Sequence, residues 1–144
     1  MSSPAYSKFD PAGWLKDAKA AFETAQKQTC ANSSKIVNIG ASIGADGAVD
    51  ACGDACLGAV SLSPGSYLGI PYSQAAKELD AKNKKVLCIA GLGDKESAPI
   101  CQSISGTNFT VKISSTSNHG MALIQKDLDV KTLNEILAFL EAFK

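Results

Sequence analysis

The sequence predicts an open α/β fold: a parallel sheet of about four strands with helices on both faces. Two observations carry this. The apolar runs at 35–39, 57–62, 85–90 and 109–113 are nearly continuous, as expected of strands buried on both sides. Segments of helical periodicity stand between them, so consecutive strands are joined by crossovers, and right-handed crossovers leave only a few open α/β topologies.

The elements follow in order. Asp10-Pro11 is a helix start, with Asp as N-cap and Pro at the first helical position. Trp14, Ala18, Ala21, Phe22 and Ala25 then recur at helical spacing, a stripe expected to pack this helix onto the sheet. Asn32-Ser33-Ser34 breaks the helix, and Lys35–Ile39 is the first strand. A sharp turn at Gly40–Gly44 leads into a small-residue helix running to about Ala51. Leu57–Leu62 is the second strand, closed by Ser63-Pro64-Gly65. Tyr72, Ala75, Ala76 and Leu79 mark a helix that ends at Asn83, and Lys85–Ala90 is the third strand. A short helix from Ser97 to about Ile104 precedes the fourth strand, Phe109–Ile113. Val130, Leu133, Ile136, Leu137, Leu140 and Phe143 place an apolar face on a C-terminal helix, expected to be core, with part of it open to a partner subunit. Lys82, Lys84 and Lys85 read as a small solvated basic patch at a strand entrance.

The 144 residues suit a single domain, 1–144, that can bury a real core. Fourteen Lys+Arg balance fourteen Asp+Glu, so the basic footprint of a nucleic-acid binder is missing, and no nucleic-acid partner is expected. No apolar run reaches the roughly 18 residues of a membrane span, so no membrane partner is expected either. Met1 to Asp10 lacks the apolar core of a signal peptide, which points to the cytoplasm. Five cysteines, Cys30, Cys52, Cys56, Cys88 and Cys101, are then expected to be mostly free thiols. Cys52 and Cys56 could pair locally, whereas two thiols with one His in the chain make a poor zinc site; no metal and no cofactor are expected. Cys88, inside an apolar strand, reads as a small buried hydrophobe.

In open parallel sheets ligands bind at the carboxyl ends of the strands, which directs attention to Gly40–Gly44, Pro64–Pro71, Gly91–Ala98 and Ser114–Met121. Gly40-Ala41-Ser42-Ile43-Gly44 is G-x-S-x-G between a strand and a helix, the setting in which a strained turn lifts a serine hydroxyl clear of the sheet. The helix N-terminus behind it offers N–H groups and partial positive charge to an oxyanion. Serine needs a base, and the one histidine, His119, follows the fourth strand. Asp94 follows the third strand in Gly91-Leu92-Gly93-Asp94. Ser42, Asp94 and His119 thus all fall at strand C-termini, in that order.

With these residues the chain resembles the C-terminal half of the α/β-hydrolase superfamily, in its dienelactone-hydrolase-like esterase branch. The resemblance is carried by Gly-Ala-Ser-Ile-Gly at 40–44, Leu-Ser-Pro-Gly-Ser-Tyr-Leu-Gly-Ile at 62–70, Val-Leu-Cys-Ile-Ala-Gly-Leu-Gly-Asp at 86–94 and Asn-His-Gly-Met at 118–121. It implies a truncated α/β-hydrolase-like fold from about Asp10 onward. It also implies Ser42 as nucleophile, His119 as base then acid, Asp94 as the group that orients the imidazole, and the Ile43 N–H as an oxyanion donor. It assigns Tyr67, in the 62–70 match, no chemistry. The family's preceding strands have no counterpart here, and with them goes the second oxyanion donor. Lys35–Ile39 would then be an exposed apolar edge, which a second copy is expected to cover in a homodimer.

The reading is therefore a small serine hydrolase acting on small carboxylic esters through an acyl-enzyme. The competing reading is a hydrolase-like binding or assembly module without catalysis. A third, in which Ile39–Gly47 binds a dinucleotide, fails the G-x-G-x-x-G order and lacks the ribose-binding acid.

Overall fold

The computed structural model describes residues 10–125 and 130–144. The N-terminal stretch inspected for a signal peptide lies, up to residue 9, outside the described residues. Ten elements alternate as α1 (Pro11–Gln26), β1 (Ile36–Ala41), α2 (Ile43–Asp50), β2 (Cys56–Leu62), α3 (Tyr72–Ala81), β3 (Lys85–Gly91), α4 (Ser97–Gln102), β4 (Phe109–Ser114), α5 (Ala122–Gln125) and α6 (Val130–Glu141). The four strands lie in sequence order, all parallel, which is the expected α/β architecture. Register aligns their carboxyl ends: Ala41 pairs with Leu62, Leu62 with Ile89, and Gly91 with Ser114.

Alternation along the strands divides the core in two. Ala59, Val86, Cys88 and Ala90 face one side, where α2, α3 and α4 supply Val49, Tyr72, Ala76, Leu79 and Cys101. Val60, Leu62, Leu87 and Ile89 face the other, under Leu123 of α5 and Ile136 of α6. Each such fully buried aliphatic side chain contributes roughly 1.5–3 kcal/mol. α1 begins as expected, with the Asp10 carboxylate accepting from the Ala12 N–H at 3.1 Å.

Several expectations need correction. Phe22 is buried in the core cluster with the strand residues Cys56 and Ala59, while α1 as a whole rests mainly on α2 and Trp14 remains 39% exposed. The C-terminal stripe splits: Ile136 is buried and Phe139 and Leu140 pack beside it, whereas Leu133 and Leu137 point outward at 49% and 51% exposure. The side chain of Val130 lies outside the described residues. Lys84 is buried, because its ammonium donates to the carbonyls of Cys52 and Gly53 just beyond α2. α4 stops at Gln102, two residues short of the expected end, and α5 is an extra short helix.

The cysteines differ most. Two disulfides, Cys52–Cys56 and Cys88–Cys101, replace the expected set of mostly free thiols, leaving Cys30 free and exposed. The first closes the α2–β2 turn with Cα atoms 5.1 Å apart. The second ties β3 to α4 across 5.7 Å, so Cys88 is buried as expected but bonded. Among the described residues no helix is long and apolar enough to cross a membrane.

Candidate active site

β1 runs through Gly40 and Ala41, and α2 begins at Ile43, so Ser42 alone makes the turn. It does so at φ 55°, ψ −124°, a conformation that costs a non-glycine residue about 1–3 kcal/mol. The turn is held by Ser42 N–H donating to the Leu62 carbonyl at 2.8 Å and Ala45 N–H donating to the Ser42 carbonyl at 2.8 Å. Gly40 is obligatory there, since a Cβ would sit 1.8 Å from the Gly44 carbonyl oxygen. Gly44, the second glycine of the pentapeptide, faces open space, with nothing within 4 Å of its Cβ position. The tight passage from Ser42 into α2 leaves no extended glycine loop of the dinucleotide-binding kind, and β2 ends in Ser63-Pro64 where an acid would be needed.

The loops after β3 and β4 are fastened to each other. Leu92 N–H donates to Ser114 O at 2.8 Å and Gly93 N–H to Thr116 O at 3.0 Å, continuing the β3–β4 ladder past the strand ends. This brings together residues 25 apart: His119 Nδ1 lies 2.7 Å from Asp94 Oδ2. On its far side, His119 Nε2 lies 2.9 Å from Ser42 Oγ, a contact across 77 positions of sequence. Gly120, at φ 57°, carries the chain directly over the Ser42 backbone. The three predicted residues therefore form one hydrogen-bonded chain.

The protonation pattern follows from Asp94. Burial alone would raise its pKa, but the Ser97 N–H, which donates to Oδ1 at 3.1 Å, and the His119 N–H outweigh that and hold it below the ordinary carboxylate value. The buried Ser63 and Ser97 hydroxyls add electrostatic support from nearby, without closing hydrogen bonds of full geometry. An ionised carboxylate only accepts, so Nδ1 carries the imidazole proton and Nε2 presents its lone pair to the Ser42 hydroxyl. The Ile43 N–H, first in α2, has no intrahelical acceptor and directly follows Ser42 in the chain.

Two further groups escaped the sequence reading. Asp46, in the first turn of α2, is buried and accepts from the Gly65 N–H at 3.1 Å and from the Tyr67 N–H. Burial raises its pKa, against the pull of those backbone donors. Its bonds pin the 63–70 loop to α2, with the Tyr72 N–H donating to Ser66 Oγ at 2.9 Å as a second tie. The consequence is that Tyr67 stands next to Ser42 and Glu96. The sequence directs attention to the loop at Pro64–Pro71 but gives Tyr67 no chemistry, and Asp one helical turn past the serine is an ordinary first-turn residue.

Beyond β1 the surface is open. A groove of about 530 Å³ runs between α1 and the β1 edge, lined by Trp14, Ala21, Val37, Ile39, Ile43 and Leu68 among others. Ile39 is 51% exposed. Comparison of the chain with protein-family models and with curated proteins finds no match.

Proposed function

We propose that this chain is a serine hydrolase of α/β-hydrolase type that cleaves small carboxylic esters through an acyl-enzyme. The observation that carries the reading is the continuous chain Ser42 Oγ, His119 Nε2, His119 Nδ1, Asp94 Oδ2, with links of 2.9 and 2.7 Å. In the first half-reaction Ser42 Oγ bonds to the ester carbonyl carbon while its proton passes to His119 Nε2. The carbonyl oxygen becomes an oxyanion facing the Ile43 N–H. Collapse breaks the bond to the alcohol oxygen, which leaves with the proton from Nε2. In the second half a water gives its proton to Nε2 as its oxygen bonds to the acyl carbon; collapse breaks the bond to Ser42 Oγ, which takes the proton back from Nε2, and the carboxylic acid leaves. Asp94 stays ionised throughout and stabilises the imidazolium that forms twice.

The test is labelling with a fluorophosphonate probe and hydrolysis of short-chain p-nitrophenyl esters, with Ser42→Ala as control. We expect covalent labelling confined to Ser42 and a fall in turnover of about 10⁴–10⁶-fold in the variant. No Ser42-dependent labelling would overturn the enzyme reading and leave the assembly-module reading, which the open groove beside β1 favours.

For the partner we propose a second copy, paired edge to edge through β1. That strand, Ile36–Ala41, carries no charge or proline to block pairing, and being neutral it meets its own copy without like-charge repulsion. Light scattering should give a particle of two chains, and Ile39→Lys should give one; a wild-type monomer at micromolar concentration would refute the pairing. For location, the cytoplasmic reading and the two disulfides make opposite demands, since cytosolic buffers keep such thiols reduced. Alkylation of the protein as isolated from cells decides: five modified cysteines support the cytoplasm, and Cys30 alone supports an oxidising compartment.

A further inference from the structure

The oxyanion formed at Ser42 has one donor from α2, the Ile43 N–H, and loss of one of two such donors costs an acyl-transfer enzyme roughly 10²–10³-fold in rate. The geometry points to the Tyr67 hydroxyl as the second donor, a catalytic residue supplied by the chain itself; this rests on the serine-hydrolase reading above.

Three features place it. First, the Tyr67 loop is tied to the first turn of α2, which carries the Ile43 N–H, because Asp46 takes both the Gly65 and the Tyr67 N–H. Leu68, the next residue, shares a groove wall with Ile43 and Gly44. Second, the base arrives from elsewhere. Gly120, next to His119, lies against Ala41, whose side chain is on the α5–α6 side of the sheet, whereas α2 covers the opposite side. Tyr67 and His119 therefore flank Ser42 rather than compete for one position. Third, the phenol ring is folded back over its own loop. A Cβ at Gly65 would fall 2.1 Å from the ring carbon bearing the hydroxyl, so only glycine lets the ring lie there.

The hydroxyl has a proton to give. It is near Ser42 and Glu96 but closes no hydrogen bond of full geometry with either, although Ser42 is already engaged by His119. Burial, and then the Glu96 charge, push the Tyr67 pKa above its ordinary value, so the phenol stays protonated over the working range. Donor contacts of this kind are often loose in the free enzyme and tighten as negative charge develops. No proton changes owner: the phenolic O–H donates to the oxyanion and is released when the intermediate collapses.

Tyr67→Phe tests this, because it keeps the ring over Gly65 and the backbone bond to Asp46. We expect an unchanged melting temperature, a KM within about twofold of wild type, and acylation by p-nitrophenyl acetate slowed by about 10²–10³-fold. Affinity for a short alkyl boronic acid, which forms an anionic tetrahedral adduct on serine, should fall by a similar factor. Affinity for the carboxylic acid product should not. Wild-type acylation and boronate affinity in the variant would overturn the role of Tyr67 while leaving the serine hydrolase standing. If wild type itself fails to label at Ser42, the hydrolase reading falls and this inference with it.

Discussion

The two flanks of Ser42 are built to different standards. Toward β2, β3 and β4, strand ends are in register, loops continue the ladder, Cys88–Cys101 pins α4 to β3, and both Asp94 carboxylate oxygens are hydrogen-bonded. Toward β1 the sheet stops, Ile39 is half-exposed, Gly44 faces nothing within 4 Å, and α1 packs mainly on α2. Ser42, His119 and Asp94 all belong to the ordered flank or its boundary. A single sheet edge can thus hold a complete hydrogen-bonded chain of three side chains, because that chain runs across the strand ends and needs neighbours on one side only.

The most severe way to break the ordered flank is Asp94→Asn. The amide can present a donor to Nδ1, which selects the imidazole tautomer whose Nε2 carries the proton, so Ser42 loses its base. Turnover should fall about 10⁴-fold with little change in KM. The variant also reads the charge. The Asp94 pKa is depressed in the folded chain, so its contribution to stability is present above the unfolded value near 3.9 and lost as pH falls through the lower folded value. Wild type should show this acid limb in urea titrations, and Asp94→Asn should not.

Cys101→Ser is the next perturbation in size. The Cys88–Cys101 bridge spans 13 positions and frames the segment that carries Asp94. A loop near that length constrains the unfolded chain by about 3 kcal/mol, so the melting temperature of the variant should drop clearly. Reduction of the wild-type protein should bring it down at least as far. The Cys52–Cys56 bridge closes only four positions, and Cys52→Ser should cost less. Equal effects would mean that both bridges act mainly through native packing instead.

How much of this was legible in the sequence follows from which contacts are local. Strand and helix identity depends on periodicity within a few residues, so the α/β order and the placement of Ser42, Asp94 and His119 at strand ends could be read directly. Cys88 and Cys101 sit in different elements, and nothing in their spacing says that α4 folds back onto β3. The Tyr67 loop is held against α2 by its N–H bond to Asp46, a contact between residues 21 apart. Lys84 looked solvated because lysines usually are; its burial depends on two carbonyls more than 30 positions away. Leu133 and Leu137 lie on the apolar stripe, yet α6 turns them outward, since periodicity fixes an apolar arc but not which part of it the sheet covers.

The smallest expected effect tests the open flank. Asp50 closes α2, where a negative charge meets the negative end of the helix dipole, and its Oδ2 is buried with no hydrogen-bond partner. Burial, with Asp46 adding repulsion and Lys19 of α1 only partly offsetting it, raises its pKa to about 6. A carboxyl raised in the folded state binds its proton there more tightly than in the unfolded chain. Stability is therefore highest below the unfolded value near 3.9 and falls as pH rises through about 6. Asp50→Asn removes the charge but still buries a polar amide, so we expect a gain of about 1–2 kcal/mol at pH 7.5. At pH 4, where wild type is mostly protonated, little should change. Urea titrations at the two pH values measure the difference. A variant equally stabilised at both would show that the penalty comes from packing between α1 and α2 rather than from an unpartnered charge on the less ordered flank.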